Sequence, residues 1–176
     1  MLFWYLIVLI FSILNQLYDL QVFSLVLPLI LLSIPLWLVQ KVPINIGFKD
    51  ILLTLVTILL SILPYSLVII FVLNGLVIIP PLSFALHTLM VSAIPEEMFF
   101  RAYMQERLGN NYKAIIIVSV LFSLCHSARF YTTGDIEPLL TFFPSLIIGW
   151  LYMRTASLTA PILFHFVANF VYAAIT

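Results

Sequence analysis

The stretch IPEEMFFRAYMQERL, residues 94–108, places two adjacent glutamates and an arginine in a chain that is 64% hydrophobic and only 8% charged. Burying one carboxylate in hydrocarbon is costly, and burying two side by side is worse. If the stretch is helical, Glu97 and Arg101 stand at i and i+4, one above the other on a single face, and neutralise each other. Glu96 is rotated about 100° from Glu97, at about 3.6 residues per turn, so it is expected to have no sequence-local partner. An isolated carboxylate in such a position suits a general base or acid working near neutral pH. The plain structural alternative is a salt bridge with a spare glutamate at a helix kink beside Pro95.

The rest of the chain decides what surrounds this stretch. Soluble domains are about 45–50% apolar, well below this composition. The net charge of zero offers no electrostatic basis for binding nucleic acid. A single cysteine, Cys125, precludes an intramolecular disulfide framework. The N-terminal run MLFWYLIVLIFSIL has no Lys or Arg before it and no small-residue cleavage site after it. It reads as a retained first membrane helix, not a signal peptide.

A helix needs about 20 apolar residues to cross a bilayer. Spans are expected near residues 2–18, 22–40, 51–73, 83–106, 113–128, 138–154 and 158–175. The polar breaks between them are NQLYDLQ, QKVPINIGFKD, LNGLVIIPP, RLGNNYK, ARFYTTGDIE and RTASLT. The expected fold is all-α, a polytopic transmembrane helix bundle of about seven spans forming one integral membrane domain over residues 1–176. Alternating loops put Lys41, Lys49, Arg107, Lys113 and Arg154 on one side and Arg129 alone on the other. By the positive-inside rule the first group is cytoplasmic, and so is the N-terminus.

Two further spans carry polar side chains. Phe122 and His126 share a face at i, i+4, as do His165 and Asn169 in LTAPILFHFVANF. Lipid offers such groups no hydrogen bonds, so they must find partners within protein. Clustering them with Glu96, Glu97 and Arg101 is the cheapest arrangement, and it creates a polar pocket within the membrane. Carboxylate plus imidazole suits activation of water, and imidazole plus carboxamide offers donors to a developing oxyanion. One Glu and two His, here Glu96, His126 and His165, are also a common catalytic zinc set. The residues alone leave both chemistries open. Cys125 is set aside as a nucleophile because it lacks a paired base.

In order along the chain stand EEMFFR (Glu96 to Arg101), FSLCH (Phe122 to His126) and HFVAN (His165 to Asn169). With the flanks EEMFFRAYMQERL and SLTAPILFHFVAN, these resemble the EExxxR, FxxxH and HxxxN/D motifs of the CPBP family of intramembrane proteases. That family includes the type II CAAX prenyl endopeptidases and bacteriocin-processing or immunity-associated membrane proteins. The resemblance covers about residues 84–172. It implies that Glu96 and His126 activate the attacking water and that His165 and Asn169 stabilise the oxyanion. Glu97, Arg101 and Phe122 would support the site.

The resemblance favours a metal-free, glutamate-dependent mechanism without a cofactor, with zinc as the alternative. It implies a membrane-anchored protein or peptide substrate cleaved near the bilayer surface, and a multi-pass protein, here expected in a prokaryotic cell membrane. Protein processing or removal of a sorting tail is preferred over CAAX maturation. The rival is a non-enzymatic immunity or scaffold protein that keeps the pocket for binding. Where the family commonly has Gly after the motif arginine, this chain has Ala102, small enough for close helix packing.

Overall fold

The computed structural model describes residues 1–18, 21–39 and 42–175. Lys41, one of the cations expected to set orientation, lies outside them, as does Asp19 of the first polar break. Among the described residues the architecture is all-helical. The helices are α1 (Leu2–Tyr18), α2 (Gln21–Leu38), α3 (Phe48–Val72), α4 (Leu82–His87), α5 (Ile94–Glu97), α6 (Tyr112–Leu124), α7 (Ser127–Thr133), α8 (Phe142–Thr155) and α9 (Thr159–Ala174). An isolated bridge between Val77 and Ile175 ties the segment before α4 to the end of α9.

Among the described residues one helix, α3, is long and apolar enough to cross a membrane by itself. Its 25 residues span about 37 Å at about 1.5 Å per residue, against a hydrocarbon core of about 30 Å. Its hydroxyls do not need outside partners. Thr54, Thr57, Ser61 and Ser66 donate to the carbonyls of Asp50, Leu53, Thr57 and Ile62, at 2.6–2.9 Å. Such back-bonding lets polar side chains sit on a helix with an apolar outer surface. Leu52, Leu55, Leu59, Leu60 and Phe71 are all exposed on it. On its inner side, Leu53, Ile58 and Ile62 pack against Ile148, Leu151 and Phe164 of α8 and α9.

The centre of the fold is the continuous helical stretch from Leu82 to Gln105. It widens twice: residues Thr88–Ala93 and Met98–Gln105 are π-helical, on either side of α5. Pro95 has no N–H to give to the carbonyl four residues back. Just before it, the Ile94 N–H bonds the Leu89 carbonyl, five residues back. The widened turns bracket Glu96 and Glu97, as π-bulges often do at functional sites. Every residue from Met98 to Gln105 is buried, because α1, α2 and α6 pack on one side and α8 and α9 on the other.

The packing is layered around this stretch. Phe99, Phe100, Tyr103 and Met104 join Tyr5 and Val8 of α1, Leu31 and Ile34 of α2, and Val118 and Phe122 of α6. Met98 and Ala102 meet Tyr152 and Leu158 on the opposite side. Ala102 is 2% exposed, buried within this second cluster.

Two expectations need correction. The helix expected through 113–128 ends at Leu124, and α7 leaves it at 41°. The break is stabilised locally: the Ser127 hydroxyl donates to the freed Leu124 carbonyl at 2.7 Å, and His126 N–H reaches only three residues back, to Ser123 O. The polar run NQLYDLQ is not wholly a break either. Asn15 and Gln16 lie inside α1.

Candidate active site

Glu97 and Arg101 form the pair their spacing predicts. Arg101 Nε donates to Glu97 Oε2 at 2.9 Å, and both side chains are fully buried. The spacing did not reveal how the pair is extended. Arg101 Nη2 donates to Ser145 Oγ of α8 at 2.9 Å, and His165 Nδ1 of α9 lies 2.6 Å from Glu97 Oε1. A carboxylate only accepts, so Nδ1 carries the proton. Glu97 thus joins the central helix to α9, and Arg101 joins it to α8. One turn on, Gln105 Nε2 donates to Gly149 O at 2.8 Å, a second polar rung between the same two elements. Gly149 has no side chain because a Cβ there would stand 3.0 Å from both Gln105 Oε1 and Ile115 Cγ2.

Glu96 points elsewhere. It does have a sequence-local partner, contrary to expectation: the Ser92 hydroxyl, four residues earlier, donates to Glu96 Oε1 at 3.0 Å. The first π-helical stretch does not remove this i, i+4 proximity. The other oxygen, Oε2, lies 3.8 Å from His165 Nε2. The two glutamates therefore address the same imidazole from its two nitrogens, Glu97 closely and Glu96 at a distance.

His126 sits at the break between α6 and α7. Its Nδ1 is 3.0 Å from the Phe122 carbonyl. A carbonyl cannot donate, so the neutral ring keeps its proton on Nδ1 and presents a lone pair on Nε2. Phe122 lies against both imidazoles, with ring centroids 4.9 Å from His126 and 6.2 Å from His165. Glu96 and His126 line one cavity of about 200 Å³, together with Val8, Ser12, Asn15, Gln16, Leu27, Leu31, Phe100 and Cys125. Asn169 lies half-buried one turn beyond His165 on α9. Its side chain makes no hydrogen bond among the described residues and is not part of that cavity's wall.

The structure thus brings Glu96, Glu97, Arg101, Phe122, His126 and His165 into one neighbourhood, with Asn169 at its edge. Among the described residues, no group of three His, Cys, Asp or Glu side chains is arranged to hold a metal ion. His165 has one nitrogen committed to Glu97. Sequence reasoning missed the α1 wall. Gln16 Nε2 donates to Cys125 O at 2.6 Å, and Gln16 Oε1 accepts from Arg129 N–H at 3.3 Å, so one side chain spans the break that carries His126. The available signal was a pair of carboxamides within one turn of the end of an apolar helix.

Comparison with known proteins agrees with the motif order. No curated protein and no solved structure matches the chain. Residues 68–171, more than half of the chain and all three motifs, match the family described as type II CAAX prenyl endopeptidase Rce1-like. The chain belongs to that family of membrane-embedded peptidases.

Proposed function

We propose that this protein is a glutamate-dependent intramembrane endopeptidase, built as a multi-pass bundle of about seven spans. Its substrate is a membrane-tethered protein or peptide. The observation that carries the reading is the cavity of about 200 Å³ that Glu96 and His126 share. At about 30 Å³ of liquid volume per water, it has room for a hydrolytic water and a peptide group. Apolar Val8, Leu27, Leu31 and Phe100 complete its wall, which suits a greasy substrate segment.

The chemistry follows from the hydrogen bonds. Water gives a proton to the Glu96 carboxylate, assisted by the lone pair on His126 Nε2, as its oxygen attacks the scissile carbonyl. The oxyanion that forms is stabilised by His165 and Asn169. For His165 to donate from Nε2 it must hold a proton on each nitrogen, and the Glu97 carboxylate at Nδ1 is the counter-charge for that imidazolium. This is the same service a carboxylate gives the histidine of a catalytic triad. Arg101 and Ser145 keep Glu97 in place. As the C–N bond breaks, the proton taken from water passes from Glu96 to the leaving nitrogen, giving a carboxylic acid and a free amine, with Glu96 again a carboxylate.

No step here needs a metal; zinc held by Glu96, His126 and His165, whose side chains are not arranged as a metal site here, is the alternative to be tested. Removal of a C-terminal sorting tail or another processing cut in a prokaryotic cell membrane is the preferred role, with CAAX-type maturation second. The test is Glu96→Gln in purified protein. The amide keeps the acceptor for Ser92 and loses the base, so turnover falls by about 10² to 10⁴ with the fold intact. Undiminished cleavage by Glu96→Gln removes Glu96 from the mechanism, and a wild type that only binds peptides points to an immunity or scaffold role.

A further inference from the structure

The cavity shared by Glu96 and His126 has a polar wall that none of the three motifs supplies. Ser12, Asn15 and Gln16 of α1 stand at i, i+3 and i+4, which puts them on one face of the helix. All three line the cavity. They are not equivalent. Gln16 is consumed by structure, bonded to Cys125 O, Ser12 O and Arg129 N–H. The Asn15 side chain makes no hydrogen bond among the described residues, although its carboxamide carries two donors and an acceptor.

An unpaired carboxamide in an apolar helix is unfavourable unless something completes it. Here α1 is held rigidly where Asn15 can be completed. Tyr5 OH donates to Leu121 O at 3.0 Å, and Gln16 grips both sides of the break beside His126. Asn15 is therefore fixed relative to His126 by two hydrogen-bonded links, one near each end of α1. The group that matches a carboxamide edge for edge is another amide: one N–H to accept from and one C=O to donate to.

We propose that Asn15 binds the substrate backbone, pairing with a peptide group next to the scissile bond while Glu96 and His126 deliver water. This rests on the proposed endopeptidase function. It also specifies the substrate's conformation. In a helix the main-chain N–H and C=O groups are already paired with each other, so a segment bound by Asn15 is extended. The substrate is thus a flexible tail, or a membrane segment locally unwound at the cut, and not an intact helix.

The test uses the purified full chain in detergent with quenched fluorogenic peptides of two kinds. One is anchored by an S-farnesyl cysteine near its C-terminus, the other by an apolar transmembrane segment. Asn15→Leu, close in volume, raises KM about tenfold, equivalent to about 1.4 kcal/mol and the scale of a hydrogen-bonding group left unpaired. Its kcat stays within about threefold and its melting temperature is unchanged, and Asn15→Gln recovers part of the lost affinity. In a second arm, peptides N-methylated at successive amides are given to the wild type. One position next to the scissile bond loses affinity, and that loss disappears in Asn15→Leu.

A KM within twofold of wild type in Asn15→Leu overturns the assignment. So does an N-methyl penalty that is the same in both proteins, or a fall in kcat with KM unchanged. If Asn15→Leu does not fold, the wild-type scan decides alone, and no sensitive amide next to the cut refutes the pairing. Cleavage of neither peptide in a Glu96-dependent way refutes the proposed function itself, and the role of Asn15 with it.

Discussion

Replacing Glu97 by glutamine removes the single acceptor that joins Arg101 to His165. In the native site both oxygens are used, Oε2 by Arg101 Nε at 2.9 Å and Oε1 by His165 Nδ1 at 2.6 Å, with Glu97 and Arg101 fully buried. A glutamine has one oxygen. Arg101 has no form without its N–H donors, so the amide oxygen must face it and the NH₂ must face His165. Two donors then meet unless His165 moves its proton from Nδ1 to Nε2. That tautomer turns an N–H toward Glu96 Oε2, 3.8 Å away. Even after this rearrangement the guanidinium has lost its buried counter-charge. Breaking a buried pair from one side costs about 3–5 kcal/mol. At about 2–4 °C per kcal/mol for a chain of this size, melting falls by roughly 6–20 °C. Glu96→Gln keeps its bond to Ser92 and strands no buried cation, so it stays within about 1 kcal/mol of wild type. Tryptophan fluorescence melts of both variants in one detergent make the comparison. A Glu97→Gln protein that melts with the wild type, or a Glu96→Gln protein that melts lower, refutes the division of labour between the two glutamates.

Further outcomes follow from the same contacts. A strong chelator leaves turnover nearly unchanged, whereas stoichiometric zinc in active protein and chelator-sensitive turnover restored by the ion establish the metal mechanism. His165→Asn lowers kcat by about 10² to 10³, the scale of one lost oxyanion donor, and leaves residual Glu96-dependent activity, because Asn169 remains. Complete loss with chelator sensitivity instead assigns His165 as a metal ligand, since carboxamides are poor zinc ligands. Gly149→Ala forces a methyl to 3.0 Å from Gln105 Oε1 and Ile115 Cγ2 and destabilises by about 1–3 kcal/mol, read as a lower melting temperature. An unchanged melt shows that α8 has room the native contacts do not display.

The sequence by itself determined an apolar, all-helical chain, because 64% hydrophobic residues in runs separated by polar breaks leave helices as the economical way to pair the backbone. It also determined the Glu97–Arg101 pair and the Phe122–His126 contact, since i, i+4 neighbours share a face whatever surrounds the helix. Only the tertiary structure decided which groups meet across helices. That Glu97 accepts from His165 depends on how α9 packs on the central helix, which no local spacing encodes. The break after Leu124 is equally invisible to periodicity, because Cys125 and His126 are not strong helix breakers; Ser127 and Gln16 satisfy the backbone groups it releases. For the same reason α1, apolar and without a recognisable motif, showed a pair of carboxamides near its end but not which helix they would face. Local geometry repeats every turn and can be read along the chain, whereas a contact between distant helices is settled by the packing of the whole bundle.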